Sequence, residues 1–241
     1  MLVPCTVNRQ WAGLTRTLKQ AFFPRYSFRR ARHEHPYVHL PSAQRAGKSV
    51  GKRLDRELGI ALRAGRLPTG HLRHSRHVLQ LIHDRPEVAV HAQLEVADPS
   101  LPLRTALDLL LWHPLRRGYT IVELKTGYRN YVNKYAHFML PPLGHWHDCP
   151  FNQHRLQLLC STRMFEVSFP HATVIGRELW YVSEDEVRVV EVAPLPELEQ
   201  VWTRLKDTRR PAPLFRRKHQ LRRGVRSRLR RSRRLARNNA R

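Results

Sequence analysis

Acidic residues are absent from both ends of this 241-residue chain, and that absence shapes its charge. All 19 Asp and Glu residues lie in the section 34–207, where 22 Lys and Arg nearly balance them. Residues 1–33 carry seven basic residues and residues 208–241 carry fifteen, so the net charge of +25 is concentrated at the ends. Such ends attract polyanions and release counterions on binding. We therefore expect nucleic acid, with DNA first, as the partner, and the tail's lack of an apolar face disfavours a membrane.

Cysteine and long apolar runs are also scarce. Cys5, Cys149 and Cys160 form an odd set without paired spacing, which excludes a disulfide framework and favours a reducing, intracellular setting. The longest apolar stretch, residues 106–112, is strand-sized and too short to span a bilayer. The N-terminus lacks the apolar core of a secretory signal.

The two basic ends suggest destinations within the cell. Apolar residues at 11, 14, 18 and 22 have helical spacing among Arg and Thr, as in a mitochondrial presequence, but a terminal helix that packs on the body explains them equally well. The C-terminal run contains Arg230, Arg231, Arg233 and Arg234, which suit acidic nuclear import receptors and also a DNA tether. We expect the nucleus, with the mitochondrion as the alternative.

Composition and periodicity predict three segments: a basic arm at 1–33, a folded domain at 34–207, and an Arg-rich, low-complexity tail at 208–241. Within the domain, the short linker 113–118 is typical of an antiparallel hairpin. Residues 126–150 contain many Gly and Pro and predict a long irregular insertion. The first predicted helix begins near Gly47 and runs through Leu62, and three more cover 71–83, 152–166 and 195–206. The predicted strands cover 88–96, 104–112, 119–125, 172–181 and 187–192.

Three charged residues fall on the predicted hairpin. Asp108 interrupts an otherwise apolar strand, where a lone carboxylate is costly unless it is paired or binds a metal. Glu123 and Lys125 are two apart on the next strand and therefore share one of its faces. The hairpin would bring all three together. The alternative is that Glu123 and Lys125 form a simple ion pair on an exposed strand.

This combination suits hydrolysis of a phosphodiester. The two carboxylates and the backbone carbonyl of Leu124 make an oxygen-rich site for Mg²⁺ or Mn²⁺. Such an ion acidifies water and neutralises charge on the phosphate. Lys125 would position or deprotonate the attacking water and contact the phosphate.

Asp108 followed by Glu123-Leu124-Lys125 resembles the signature of the PD-(D/E)XK nucleases, and more specifically their RecB-like and Cas4-like exonuclease branch. The resemblance covers roughly residues 47–182 and implies an α/β, restriction-endonuclease-like αβββαβ core with a central mixed sheet flanked by helices. It also implies a glutamine on the helix after the catalytic strand, for which Gln157 fits best and Gln153 is second. A tyrosine often stands four residues after that glutamine, and Ser161 stands there instead. The branch often begins with a glycine-led helix that carries an acid or histidine; the segment from Gly51 resembles it, and the matching acid would be Glu57, which could equally pair with Arg53 or Arg56.

The insertion after the hairpin offers two further hypotheses. Tyr128, Arg129, Tyr131 and Lys134 interleave aromatic and basic side chains, a pattern that suits stacking on unpaired bases and phosphate contacts, or else a subunit contact. His145, His147 and Cys149, with Cys160 nearby, could bind zinc, but no Cys-x-x-Cys pair supports a zinc site and a solvated loop is the default.

The sequence thus predicts a Mg²⁺-dependent deoxyribonuclease, and the family resemblance implies a role in DNA recombination, repair or end processing. The main rival is a non-catalytic protein that binds or condenses nucleic acid. That rival explains the basic ends but makes no use of Asp108 between apolar neighbours.

Overall fold

A computed structural model describes residues 11–23, 41–127 and 137–209, and side chains over 11–23, 47–127 and 137–207. The described residues form five helices and one mixed six-stranded sheet, which confirms the predicted α/β class and the αβββαβ order. None of the described helices is long and apolar enough to cross a bilayer. The helices are α1 (Leu14–Phe22), α2 (Pro41–Ala64), α3 (Arg73–His83), α4 (Pro150–Ser168) and α5 (Leu198–Arg209), and the strands are β1 (Ala12–Gly13), β2 (Val88–Asp98), β3 (Leu103–His113), β4 (Gly118–Thr126), β5 (Val174–Val182) and β6 (Val187–Glu191).

Strand β3 organises the sheet. β2 runs antiparallel along one of its edges over the whole length from Leu103 to Trp112. On the other edge β4 pairs antiparallel only from Leu109 to His113, and the two-residue β1 pairs in parallel at Leu103 and Arg104. β4 continues in parallel with β5, and β5 pairs antiparallel with β6. The predicted hairpin is therefore present. Its two strands are paired from the turn as far as Leu109 and Val122, and beyond that pair they separate.

Both faces of the sheet are covered. Alternate residues of β4 enter two separate apolar clusters: Ile121 belongs to one, and Val122 and Leu124 to the other. Helix α4 packs on the first face through Leu156 and Leu159, and α2 packs on the second through Leu54 and Leu58. Burial on both faces explains why β3 and β4 read as nearly continuous apolar runs. Any polar side chain in the middle of these strands must therefore be accounted for.

Strand β2 departs from the alternation that its sequence predicts. We expected positions 88, 90, 92, 94 and 96 to share one face. Val88 and Val90 are exposed, Ala92 packs on the α2 side, and Leu94 and Val96 lie in the cluster on the α4 side. A register shift between Ala89 and His91, and a positive φ of 55° at Gln93, turn the strand twice. The prediction of a regular strand was wrong because such bulges leave no mark in a pattern of period two.

The N-terminal segment belongs to the folded body. Leu14, Leu18 and Phe22 of α1 are each at most 1% exposed and lie in the α4-side cluster. The proposed boundary at residue 33 is therefore wrong for residues 12–22. Packing in the core accounts for their helical periodicity, as in the second of the two interpretations above. The compact unit extends to Leu205, whose side chain is buried.

The described part of the predicted insertion is also packed. Phe138 pairs with His147 in an isolated bridge, and Met139, Leu143 and Trp146 are buried in the α4-side cluster. Apolar residues scattered among Pro and Gly thus fill a gap in the core, which a periodicity analysis does not detect.

A buried ion-pair network joins the turn before β2 to β5 on the α2 side of the sheet. The Arg85 guanidinium donates to both oxygens of Glu178, at 2.9 and 2.7 Å, and to Glu87 at 3.2 Å. Trp180 donates to the same Glu178 carboxylate at 2.7 Å, and Arg85 also lies over the Trp180 ring. Glu178 is only 6% exposed, so its charge depends on these donors.

Replacing Arg85 with alanine should therefore cost much more than breaking a surface pair. We expect Arg85→Ala to lower the free energy of unfolding by about 3–5 kcal/mol, because it leaves a buried carboxylate without its cation. Urea unfolding followed by tryptophan fluorescence measures the change. Glu199→Ala is the control, because it removes an ion pair with Arg163 at the surface, where the Glu199 side chain is 74% exposed. This substitution should lower the free energy of unfolding by less than about 1 kcal/mol. Equal losses in the two variants would contradict the structural role of this network.

Candidate active site

The candidate site lies where β3 and β4 separate. At Asp108 the strand has left its ladder with β4, and the carboxylate fills the opening instead: Oδ2 accepts a hydrogen bond from the backbone N–H of Leu124 at 2.8 Å. Oδ1 accepts from Gln93 at 3.0 Å, the residue whose positive φ turns β2. The aspartate is thus held by two neighbouring strands, and this explains how an apolar strand accommodates it.

Glu123 and Lys125 lie beside Asp108 on the α4 side of the sheet, as predicted. Glu123 is 3% exposed, and its Oε1 accepts hydrogen bonds from the Lys125 ammonium and, at 2.5 Å, from the side-chain amide of Gln157. The Gln157 carbonyl oxygen lies 3.4 Å from Lys125 Nζ. The structure thus brings together the predicted Asp108, Glu123, Leu124, Lys125 and Gln157. The alternative that Glu123 and Lys125 form a simple ion pair on an exposed strand does not fit the burial of Glu123.

A third carboxylate, which the sequence analysis missed, joins them from the opposite face. Asp55 of α2 is half-buried, and its charge is coupled to those of Asp108, Lys125 and Glu123. Within the described residues it accepts no hydrogen bond and forms no ion pair. The separation of β3 and β4 makes this meeting possible, because it opens the sheet between the α2 side and the α4 side.

Glu57, the acid that was predicted from this helix, lies elsewhere. Its carboxylate accepts hydrogen bonds from Arg53 at 2.7 Å, Ser75 at 2.6 Å and the backbone N–H of Leu72 at 2.9 Å, at the start of α3. Burial alone would raise its pKa, but these three donors hold the pKa below its usual value. The assignment of Glu57 to the metal site is therefore corrected, and its pairing with Arg53, the stated alternative, is present.

Helical geometry explains why Asp55 and not Glu57 reaches the site. At about 100° per residue, Asp55 lies about 40° around the helix from Gly51, whereas Glu57 lies about 240° away. Gly51 faces the site because a Cβ there would lie 3.2 Å from Thr126 Oγ1, at the end of β4. Thr126 in turn donates to the carbonyl of Gly47 at 2.8 Å. Gly47, Gly51 and Asp55 follow one another at intervals of four residues. This pattern in the sequence could have identified Asp55 as the acid that faces the site.

The pKa values of the cluster are raised by burial and mutual repulsion. Burial, followed by the charge of Asp108, raises the pKa of Asp55 to about 7. The same two causes raise the pKa of Glu123 to about 7, against the opposing effect of Lys125. Burial also raises the pKa of Asp108, although Lys125 and the donors from Leu124 and Gln93 oppose it. Among the residues that the structure describes, three carboxylates thus share one lysine, and negative charge is in excess there.

This shortage of charge fits a hard divalent cation. Carboxylate and carbonyl oxygens are the ligands that Mg²⁺ and Mn²⁺ prefer. Asp55 has no donor, and both donors to Glu123 fall on Oε1, so Oε2 has none among the described residues. No three His, Cys, Asp or Glu side chains in the described parts of the chain converge closely enough to hold an ion as they stand.

The remaining predicted residues fall into two groups. Gln153 does not reach the cluster, because its side-chain amide donates to Asp148 at 2.8 Å. His145 and His147 of the hypothetical zinc site have other neighbours, Glu197 at 3.8 Å and the stacked ring of Phe138, and no zinc ligand set occurs among the residues described. The predicted nucleic-acid contacts Tyr128, Arg129, Tyr131, Lys134, Arg230, Arg231, Arg233 and Arg234 lie outside the described residues.

Comparison with known proteins adds little. The chain matches no protein-family model and no curated protein. Among solved structures it has a weak likeness to one described as the crystal structure of SSO0001, with 15% identity and a TM-score of 0.29 over 68% of this chain and 77% of that one. No argument rests on a likeness of this size.

The raised pKa values predict how stability depends on pH in the absence of divalent cations. A carboxylate whose pKa is higher in the folded state than in the unfolded state favours folding while it is protonated. Its contribution is therefore lost as pH rises from the ordinary pKa of 4.5 to about 7 for Glu123. The measured quantity is the free energy of unfolding of Glu123→Gln minus that of the wild type, in EDTA. This difference should be at least about 1 kcal/mol more favourable to the variant at pH 8 than at pH 4.5.

Denaturant unfolding at the two pH values measures this difference. Glu95→Gln makes the same substitution at an exposed position of β2 and is the matched control. A Glu123→Gln variant that behaved like this control would show that Glu123 is not destabilised by its surroundings.

Proposed function

We propose that this protein is a Mg²⁺- or Mn²⁺-dependent nuclease that hydrolyses phosphodiester bonds, with DNA as the first substrate. The observation that carries the proposal is that Asp55, Asp108 and Glu123 lie near enough for their charges to interact, with one lysine, Lys125, among them in the described part of the chain. Buried charges are normally paired or coordinate a metal, whereas this cluster, as far as the structure describes its surroundings, carries more negative than positive charge. A divalent cation would offset that excess.

Each residue has a distinct role in the proposed reaction. Asp108 and Glu123 would hold the cation, with Asp55 and the carbonyl of Leu124 as further oxygen donors. When bound, the cation supplies positive charge that acidifies water and neutralises the phosphate. Gln157 holds Glu123 in place through their 2.5 Å hydrogen bond and lies next to Lys125.

Lys125 is the only cation that the structure shows among these three carboxylates, and it would orient the attacking water and contact the phosphate. The oxygen of the water forms a bond to phosphorus, the bond from phosphorus to the leaving sugar oxygen breaks, and a proton from the water ends on that oxygen. The products are a phosphomonoester and a free hydroxyl.

The ends of the chain support a polyanionic substrate. The fifteen basic residues of 208–241 would concentrate DNA near the site through counterion release. The same tail underlies our proposal of a nuclear location, whereas the proposed role in recombination, repair or end processing rests on the family resemblance. The resemblance to RecB-like and Cas4-like nucleases, which rests on Asp108 and the Glu123-Leu124-Lys125 triplet, favours an exonuclease.

The proposal predicts loss of activity without loss of fold. Asp108→Asn, Glu123→Gln and Lys125→Met should each lower the rate of DNA cleavage by about 10²-fold or more, because each removes a group that acts on the phosphate or holds the ion that does. The assay compares linear with closed-circular DNA in Mg²⁺, in Mn²⁺ and in EDTA. Glu95→Gln, which removes an exposed carboxylate from β2, should retain full activity.

Two outcomes would overturn the proposal. If the wild type retards DNA but degrades neither form with either metal, the non-catalytic nucleic-acid-binding alternative replaces it. If cleavage occurs but persists in the three variants, the activity belongs to another site or to a contaminant.

The two acids of α2 allow a separate test of the site's composition. Asp55→Asn should lower the cleavage rate and weaken the stabilisation by Mg²⁺, measured as the shift in melting temperature. Glu57→Gln should lower stability, since it disturbs the start of α3, but should leave the Mg²⁺-induced shift intact. The reverse pattern would return Glu57 to the metal site and exclude Asp55.

A further inference from the structure

The outer face of α2 carries a row of positive charge beside the carboxylate cluster. Residues 47–83 contain eight Lys and Arg, and every one is exposed. The two acids in this stretch, Asp55 and Glu57, are half-buried and buried respectively. Every exposed Lys, Arg, Asp or Glu side chain within 47–83 is therefore basic, whereas the section 34–207 as a whole is nearly balanced.

Four of the eight basic residues share one side of α2. At about 100° per residue, Lys48, Lys52, Arg56 and Arg63 fall within an arc of about 80°. We call these four residues the basic stripe. It extends for about 22 Å along the helix at about 1.5 Å per residue.

Asp55 borders the basic stripe. It lies within about 20° of Lys48 in the same helical projection, near the middle of the stripe's length. Arg53 is not part of the stripe, because its guanidinium lies on the far side, on Glu57 and the carbonyl of Gly70.

We infer that one phosphodiester backbone lies along the outer face of α2, held by the basic stripe, and passes Asp55 on its way over the cluster. The inference rests on the proposed function for the nature of the ligand and adds the path that the strand takes. A cluster of three carboxylates repels phosphate, so a nearby row of cations is needed to bring a polyanion close. A regular row of point charges suits a backbone with repeated phosphates, whereas an acidic protein would present its charges irregularly.

Lysine footprinting tests the path directly. The full-length protein in EDTA is acetylated with an amine-reactive ester, with and without an excess of a single-stranded oligonucleotide or a hairpin duplex, and modification is read by mass spectrometry. We expect Lys48 and Lys52 to be protected severalfold. Lys19, which is exposed on α1, is the internal control and should react equally in both samples.

Charge variants test whether the stripe contributes to binding. Lys48→Gln/Lys52→Gln/Arg56→Gln should reduce the slope of log K against log salt by about 2–3, since each phosphate contact contributes about 0.7–0.9. Arg73→Gln/Arg116→Gln/Arg117→Gln removes the same charge from exposed positions at the start of α3 and in the turn between β3 and β4, and should leave the slope unchanged. Fluorescence anisotropy in EDTA with the same two ligands measures both.

The outcomes separate this inference from the proposed function, because binding is measured without cleavage. Protection of Lys48 and Lys52 by either nucleic acid supports the path even if no nuclease activity is found. Uniform protection of all lysines, or equal slopes in the two triple variants, overturns it even if the nuclease is active. Protection by phosphatidylserine vesicles but not by nucleic acid would also overturn it and point to a membrane surface.

Discussion

The hydrogen bond from the Leu124 N–H to Asp108 is the interaction on which the site depends. It replaces a ladder bond where β3 and β4 separate, and it fixes a carboxylate in the opening between them. The opening allows α2 on one face and α4 on the other to direct Asp55 and Gln157 at the same strands. If β3 and β4 had stayed paired, the two faces would be isolated from each other, and the polar groups would have no common meeting place.

Much of this arrangement follows from sequence, because the responsible patterns are local. Lys125 two residues after Glu123 fixes a shared face, and the short linker 113–118 fixes the hairpin, so the relation of Asp108 to Glu123 could be predicted. Gln157 was found through a family resemblance and not through physical reasoning. These predictions needed neither the curvature of the sheet nor the packing angle of a helix.

The errors arose where tertiary packing decides. The choice of Glu57 over Asp55 depended on which side of α2 approaches the sheet, and the close contact of Gly47 and Gly51 with Thr126 determines that side. The predicted alternation of β2 failed at Gln93, where a positive φ for a non-glycine residue is maintained by its hydrogen bond to Asp108. Glu57 illustrates a general difficulty, since a buried acid in a binding motif and a buried acid that holds a helix start look identical in sequence.

The burial of α1 has a consequence for how the protein could be processed. Phe22 contributes a fully buried ring, and its carbonyl oxygen accepts the backbone N–H of Leu140 in the segment that leads to α4. A protease that cut after this helix would remove part of the interior and a support of the helix that carries Gln157. Proteolytic maturation that preserves this packing must therefore cleave upstream of α1.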